Sequence, residues 1–600
     1  QHTYVTAIHA GSTHSMYLHN GITGFGKFVE APSVCSTKGN CTAQAHCVCE
    51  PHYNADDCRT FFCFDLNATD ALVCSGNGYC VAADSCICKP GYSGLQCENE
   101  ISGFVFTLGN NEKGQFGDTY TISRTVPTEV AGLLRGVKVV SIASGIDFTI
   151  AVTVSGTVYG WGANDLGQLG DTDLIRYTPT PVQGLAHNMK YVCAGSKHVA
   201  VLDHDGHVFT WGANNRGQLG NGFVSMTATK VPGQVRGIIE DEPIISVVCG
   251  EEFTLAMNER GTVFGWGENR FGQLGDGTNS VKTTPVKTGV GVLDEIPLAG
   301  VYAGYSHTLA IGPFGVLYAW GDNSAAQIGD GTTNNQYSPI PIFGALKGKI
   351  VIAASGSREN SYVATIDEKY YSWGGNFYGQ IGDNSSNIQY KATPQRIKIV
   401  DTESPIRSLY GGQMNAFALT AQGDAFAWGS NSFGQLGDGS LSQQNVPVVV
   451  VNQYHDRVIA HIAPGEKHTA FLYNATSCFG FLSDDENVCS SRGVCISDDV
   501  CLCREGFKNY DCSLVMCNDR NSSDPLICSG HGTCLPNDTC VCHDMWTGVD
   551  CEHSPFGYVF AAGQGDNGQL GDGKRTSSSL MVKSRAPTID RKPTRFVSAG

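Results

Sequence analysis

Basic residues are scarce in this chain. Lys and Arg together number 39 against 56 Asp and Glu in 600 residues, a formal charge of −17. Gripping nucleic-acid phosphates takes concentrated positive charge, so no nucleic-acid partner is expected. Charged residues of both signs make up only 16% of the chain. That is low for a protein dispersed on its own and points to an assembled or glycosylated state. Long apolar runs are missing too, so neither a transmembrane segment nor a secretory leader is visible. The missing leader carries little weight, because residue 1 already lies inside a repeat (below). Cysteine is almost absent from the middle of the chain: only Cys193 and Cys249 fall between Cys97 and Cys478. No Ser/His/Asp set, zinc-ligand spacing, phosphate-binding loop or basic tract emerges. No catalytic, cofactor-binding or metal-ligating residue is therefore assigned, and the chain is not expected to be an enzyme.

Glycine, by contrast, is abundant at 74 residues, and much of it is periodic. Gly114-Gln115-Phe116-Gly117 recurs as Gly167-Gln168-Leu169-Gly170, Gly217-Gln218-Leu219-Gly220, Gly272-Gln273-Leu274-Gly275, Ala326-Gln327-Ile328-Gly329, Gly379-Gln380-Ile381-Gly382 and Gly434-Gln435-Leu436-Gly437. Successive copies start 53, 50, 55, 54, 53 and 55 residues apart, the period of a four-stranded propeller blade. The next copy, Gly568-Gln569-Leu570-Gly571, follows a gap of 134 residues that holds twelve cysteines. Seven repeats plus a cysteine-rich insert form a unit that recurs at 454 residues, as Cys63 with Cys517 and Gly114 with Gly568 show. Residues 4–18 match 458–472 at the same offset, and 596–600 resemble 141–145. The chain is expected to be a window on a longer repeating protein.

Within each repeat, short apolar runs rich in β-branched and aromatic residues are bounded by Gly and Asn, which fits strands and tight turns. The inserts interrupt one such turn, between the strand ending at Tyr473 and the strand beginning at Gly557. A surface turn tolerates insertion because the sheet hydrogen bonds survive it. For the complete ring, residues 103–108 are expected to pair with the strand ending at Tyr473. Dense cysteine in small segments is a disulfide framework and implies an oxidising, extracellular or lumenal compartment.

Two resemblances follow. Phrases such as YGWGANDLGQLGD, FTWGANNRGQLGN and FGWGENRFGQLGDG in 103–474 resemble the regulator-of-chromosome-condensation repeat, which implies a seven-bladed propeller. The inserts, with CSGHGTC and CVCHDMWTGVDC, resemble epidermal-growth-factor (EGF)-like modules of the tenascin and teneurin type. The expected fold is all-β, with seven-bladed propeller beads joined by pairs of small disulfide-rich modules. Residues 1–20 are the closing strands of a preceding propeller, 21–60 a module lacking its first cysteine, and 61–98 a second module. Residues 103–474 are a complete propeller, 476–513 and 514–552 two further modules, and 557–600 the start of the next propeller.

The module family's 1–3, 2–4, 5–6 pairing implies Cys63–Cys80, Cys74–Cys86, Cys88–Cys97, Cys478–Cys495, Cys489–Cys501, Cys503–Cys512, Cys517–Cys534, Cys528–Cys540 and Cys542–Cys551. In the first module it implies Cys35–Cys47 and Cys49–Cys58. Gly24 stands where the partner of Cys41 would be, which leaves Cys41 either a link to another chain or a thiol in a degenerate module. Calcium-binding modules carry acidic residues and an Asn or Gln before the first cysteine. The phrase from Asp511 to Met516, ahead of Cys517, lacks that arrangement, and calcium is not expected there.

Recurrent side chains have structural readings. His14, His198, His307 and His468 stand three residues after a strand-end glycine, an offset also held by Phe148, Phe253, Glu359 and Asn415. A phenyl ring in place of imidazole speaks for packing with a local hydrogen bond. Trp161, Trp211, Trp266, Trp320, Trp373 and Trp428 recur at blade period and are expected between sheets. Asp171, Asp276, Asp330 and Asp438 suit tight turns. Cys193 and Cys249 are expected as two core thiols; an interblade disulfide stays open, since their offsets differ by one residue. Sequons place N-glycans at Asn40, Asn67, Asn384, Asn474, Asn521 and Asn537.

The expected function is structural: an extracellular glycoprotein fibril or surface appendage built by self-association, with covalent glycans and other matrix or surface proteins as partners. The combination of modules resembles the flagellar-hair (mastigoneme) proteins of heterokont algae. The alternative is an adhesion or receptor ectodomain that binds protein or glycan on a propeller face.

Overall fold

The computed structural model describes residues 60–68 and 70–474 apart from 290–292, 294–295, 386–387, 400–403 and 452–456, with short segments between 5 and 54 and between 477 and 583. Contacts divide the chain into two compact units, 1–474 and 475–600.

The first unit contains seven four-stranded antiparallel sheets. In blade 1 the strands run from the axis outwards as Val139–Ser144, Phe148–Thr153, Val158–Ala163 and Ile175–Pro181. Blades 2 to 6 repeat this order. The second strand is buried along its whole length in blades 1 to 6, as in Phe148–Thr153 and His198–Asp203. The outer strand is half exposed, and its polar alternation fits a sheet with one edge in water. Blade 7 joins the two ends of the ring. Its two inner strands are Val458–Pro464 and His468–Asn474, and its two outer strands are Phe104–Gly109 and Arg124–Glu129. Phe104 lies opposite Tyr473 and Gly109 opposite His468. Closure removes the open edge between first and last blade, where unpaired backbone groups would otherwise invite association.

The repeated motif locks each blade to the next. Its Asn accepts the backbone N–H of the apolar motif residue, as from Leu169 to Asn164 (2.8 Å) and from Leu274 to Asn269 (3.0 Å). The Gln carbonyl then accepts the indole N–H of the following blade: Trp266 to Gln218 O at 2.9 Å, Trp320 to Gln273 O at 3.0 Å, Trp428 to Gln380 O at 2.7 Å. All six tryptophans of the blades are 0% exposed. The final motif glycine makes this approach feasible. A Cβ on Gly275, whose φ is +68°, would lie 2.6 Å from Trp320 Nε1. At the seventh junction Leu108 takes the indole's place, packing where a Cβ on Gly437 would reach, and Gln435 O accepts instead from Thr469 Oγ1 at 3.0 Å.

The module at 61–98 holds Cys63–Cys80, Cys74–Cys86 and Cys88–Cys97. It is packed on the ring, with Val81 and Ile87 joining a cluster that contains Leu309, Leu317 and Val351 of blades 4 and 5. The Tyr79 hydroxyl donates to Glu259 O in blade 3 at 3.2 Å. Burial, with Glu259 beside it, pushes that phenol up to about 12.

The second unit carries Cys489–Cys501, Cys503–Cys512, Cys528–Cys540 and Cys542–Cys551. The pairings Cys35–Cys47, Cys49–Cys58, Cys478–Cys495 and Cys517–Cys534, and the odd Cys41, involve side chains outside the described ones. One expectation is overturned. Cys193 and Cys249 are not two thiols but a disulfide between the innermost strands of blades 2 and 3. Adjacent inner strands converge towards the axis, and their Cα atoms come within 5.6 Å, inside bridging range.

Candidate functional site

Strands in a blade alternate in direction, so the turns from first to second strand and the Gln-motif loops lie on one end of the ring. The second-to-third-strand turns and the docked module lie on the other. The first end has a mouth on the axis. Five of its turns are chained by backbone hydrogen bonds: Ile146 N–H to Ser196 O (3.3 Å), Ser196 N–H to Glu251 O (3.1 Å), Glu251 N–H to Tyr305 O (2.9 Å) and Tyr305 N–H to Ser357 O (2.9 Å). Together the seven turns surround a cavity of about 110 Å³.

The lining is polar and differs from blade to blade. Glu251, Tyr305, Arg358, Gln413 and Glu466 contribute side chains at equivalent turns, with Ser144 and Ser196 beside them. Burial raises the Glu251 carboxyl above its ordinary range, and the hydrogen bond from Tyr305 and the charge of Arg358 oppose that rise only in part. The Arg358 guanidinium sits 5.4 Å over the Tyr305 ring. Ser144 Oγ, Ser196 Oγ and Gln413 Oε1 are buried at the cavity and have no hydrogen-bond partner among the described residues. On the inner strands, burial raises the phenol pKa values of Tyr302 and Tyr410, from blades 4 and 6, and Tyr191 of blade 2 adds to both rises. Tyr410 stacks edge-on against His461, with ring centroids 5.1 Å apart. These rings lie on the innermost strands that lead to the mouth turns.

The recurrent residues take other places. His198, His307 and His468 are 0% exposed, and their Nε2 atoms lie 3.0 Å from Thr254 Oγ1, 2.9 Å from Ser361 Oγ and 3.1 Å from Thr149 Oγ1 of the next blade. Burial depresses their pKa values to about 4, 3 and 4. They are spread around the ring and form no common site. The offset count misassigned Glu359. The register places Asn360 opposite Gly374, as His198 stands opposite Gly212, because the turn at Ser357 is one residue longer. His14 lies outside the described residues. The tryptophans, sealed between sheets, are closed to ligands. Asp276 and Asp330 accept the N–H of Thr278 (3.0 Å) and Thr332 (2.9 Å), and Asp438 accepts that of Ser440 at 2.9 Å. Asp171 accepts from Asp173 N–H at 3.2 Å. Of the sequon residues, Asn384 and Asn474 are exposed and Asn67 half-buried. The side chains of Asn40, Asn521 and Asn537 fall outside the described residues. The mouth residues escaped the sequence reading because they occupy the one turn position with no repeating identity.

Among the described residues, no helix is long and apolar enough to cross a membrane. The disulfides are those of an oxidising compartment.

Residues 98–402 match the RCC1-like domain, and 407–435 and 422–472 match regulator of chromosome condensation (RCC1) repeats. Residues 67–97 and 520–551 match the EGF-like domain. The chain is 31% identical over 354 residues to the ultraviolet-B receptor UVR8 of Arabidopsis thaliana, covering 58% of this chain and 77% of that protein. It is 32% identical over 320 residues to the human probable E3 ubiquitin-protein ligase HERC4, covering 53% of this chain but only 30% of that one. Among solved structures, human WBSCR16 superposes with a TM-score of 0.56 at 24% identity, covering 62% of this chain and 98% of that one. Yeast RCC1 (Prp20), solved with Kap60, gives 0.56 at 19% identity, with 62% and 90% covered. At those identities the superpositions speak for the fold alone. The seven-sheet ring, the Gln-to-Trp latch and the matched residues agree: the chain belongs to the RCC1-like domain family and carries EGF-like modules beside its propeller.

Proposed function

We propose that this protein is an extracellular binding protein of the adhesion or receptor-ectodomain kind, which engages a protein or glycan on the open end of its propeller and carries out no turnover. The observation behind this is the asymmetry of the two ends. One is partly covered by the 61–98 module. The other presents the polar mouth and, in its motif loops, the exposed apolar side chains Ile122, Leu174, Phe223, Phe377 and Leu441. Apolar groups around a polar centre suit recognition of a partner. The UVR8 relative is named as a receptor, which fits a propeller in a recognition role.

The test is attachment of labelled protein to matrix and cell surfaces of its source. Phe223→Glu and Phe377→Glu should each reduce attachment at least tenfold, whereas Val154→Glu, on the module-bearing end, should leave it unchanged. Equal attachment by all three variants overturns the proposal.

A second reading, a fibril subunit of the flagellar-hair kind, draws on the 454-residue recurrence, since repeated surfaces at fixed spacing favour filaments. Sedimentation of purified native protein separates the two readings: growth into long assemblies favours the fibril, and a concentration-independent monomer favours the binding protein.

A further inference from the structure

A buried polar atom without a partner costs free energy, so a native protein that keeps such atoms around a cavity has a use for them. The mouth keeps three, Ser144 Oγ, Ser196 Oγ and Gln413 Oε1. They belong to blades 1, 2 and 6, so no single irregular loop accounts for all three. The remaining groups at the cavity have mixed hydrogen-bonding character. Glu251 offers a carboxylate acceptor and Arg358 offers donors. Ser144 and the Gln413 amide can each donate and accept. Neither sign of charge dominates: Arg358 partly compensates Glu251, and Lys467 Nζ stands 3.7 Å from the second carboxylate, Glu466. A lone ammonium would meet Arg358, and a lone phosphate would meet Glu251. The group that both donates and accepts at every position, without net charge, is the hydroxyl.

The space narrows the choice further. About 110 Å³ holds several waters, room for one small ring and not for a chain. The walls are turns tied together by backbone hydrogen bonds, so the cavity is largely formed before any ligand arrives.

We infer that the axial mouth is a subsite for one neutral sugar residue, the exposed end of a glycan, held by Ser144, Glu251, Arg358 and Gln413. It rests on the reading of this end as the binding face and specifies what the centre of that face takes. The apolar side chains of the outer loops would contact whatever carries the sugar.

The experiment is saturation-transfer NMR of the intact protein with methyl α- and β-glycosides of neutral hexoses and N-acetylhexosamines, with arginine methyl ester and inorganic phosphate as charged probes. At least one neutral glycoside should bind at millimolar concentration. Its affinity should fall at least tenfold in Ser144→Val and in Gln413→Leu, and stay unchanged in Val154→Ala at the opposite end. Arg358→Ala, on a partly exposed side chain, supplies a variant that keeps the fold if the first two do not, and should also lose at least tenfold. Absence of signal from every neutral glycoside overturns the inference. So does preferential binding of either charged probe, or undiminished binding in folded variants. Loss of glycoside binding with attachment still abolished by Phe223→Glu would remove the sugar subsite while leaving the binding face in place.

Discussion

His468 Nε2 lies 3.1 Å from Thr149 Oγ1, across 319 residues of sequence. The contact joins the blade that closes the ring to the first blade after it. The same pairing of a buried His with a hydroxyl of the next blade recurs at His198 with Thr254 and His307 with Ser361. These histidines are neutral wedges between sheets, and their burial has consequences for pH.

Each has a folded pKa depressed to about 3 to 4, below the unfolded value near 6.5. Between those values the unfolded chain binds protons that the native ring does not, so the stabilisation present above pH 6.5 is lost as the pH falls towards 4. Each histidine contributes on the order of 3 kcal/mol to that loss. Replacing His198 by Phe, the residue that blades 1 and 3 use at this position, should flatten the decline. Thermal unfolding midpoints from pH 7 to 4 check it; an unaltered slope in His198→Phe would refute the assignment. Loss below pH 4 belongs to carboxylates such as Asp276 and Asp383. Burial works against their charged form, but hydrogen bonds from Lys282 and Thr278, and from Ser385 with the charge of Lys391, leave them lowered overall.

The indole latch makes a differential prediction. Gln218 O accepts from Trp266 and also from Thr254 Oγ1, at 2.9 and 3.0 Å. Gln168 O accepts from Trp211 at 2.9 Å, but Val199 stands where blade 3 has Thr254, so no hydroxyl backs it up. Trp211→Phe therefore strands a buried carbonyl and Trp266→Phe does not. The first should cost about 1–3 kcal/mol more than the second in urea unfolding. Equal losses would mean that the carbonyl finds another donor.

The Cys193–Cys249 bridge closes a loop with a sequence separation of 56 residues. Constraining the unfolded chain by that much is worth about 4 kcal/mol in the loop-entropy account. The double variant Cys193→Ala, Cys249→Ala should fold into the same ring with a lower denaturation midpoint. Thiol titration of native, unreduced protein should find both cysteines unreactive even after denaturation.

The 61–98 module should come off the ring when its apolar contact is charged. Val81→Arg with Ile87→Arg places two cations against Leu317 and Val351. Hydrogen exchange in the inner strand Val351–Gly356 should then rise on the side the module covers, with the three module disulfides intact. No change in exchange would show that the docking contributes nothing to protection.

Much of this architecture could be read from the order of residues. A motif at 50 to 55 residues, seven times over, specifies blade count because each blade is stabilised by hydrogen bonds within its own repeat and with its neighbour. Closure through residues 103–108 was legible as well, since the final repeat stops after its second strand at Tyr473 and the first begins with the missing third. The bridge at Cys193–Cys249 was not. Its two residues sit one position apart in the repeat, and only the convergence of inner strands at the axis brings them into range.

The chain's own sequence determined the ring, its seven parts and the disulfide-rich modules, because repeats and cysteine spacings act over short distances and leave a regular trace. Only the tertiary structure decided which end is open and what lines its mouth. Ser144, Glu251, Arg358 and Gln413 come from separate blades and share no motif. Rotation about a common axis places them together, and that proximity leaves no pattern along the chain.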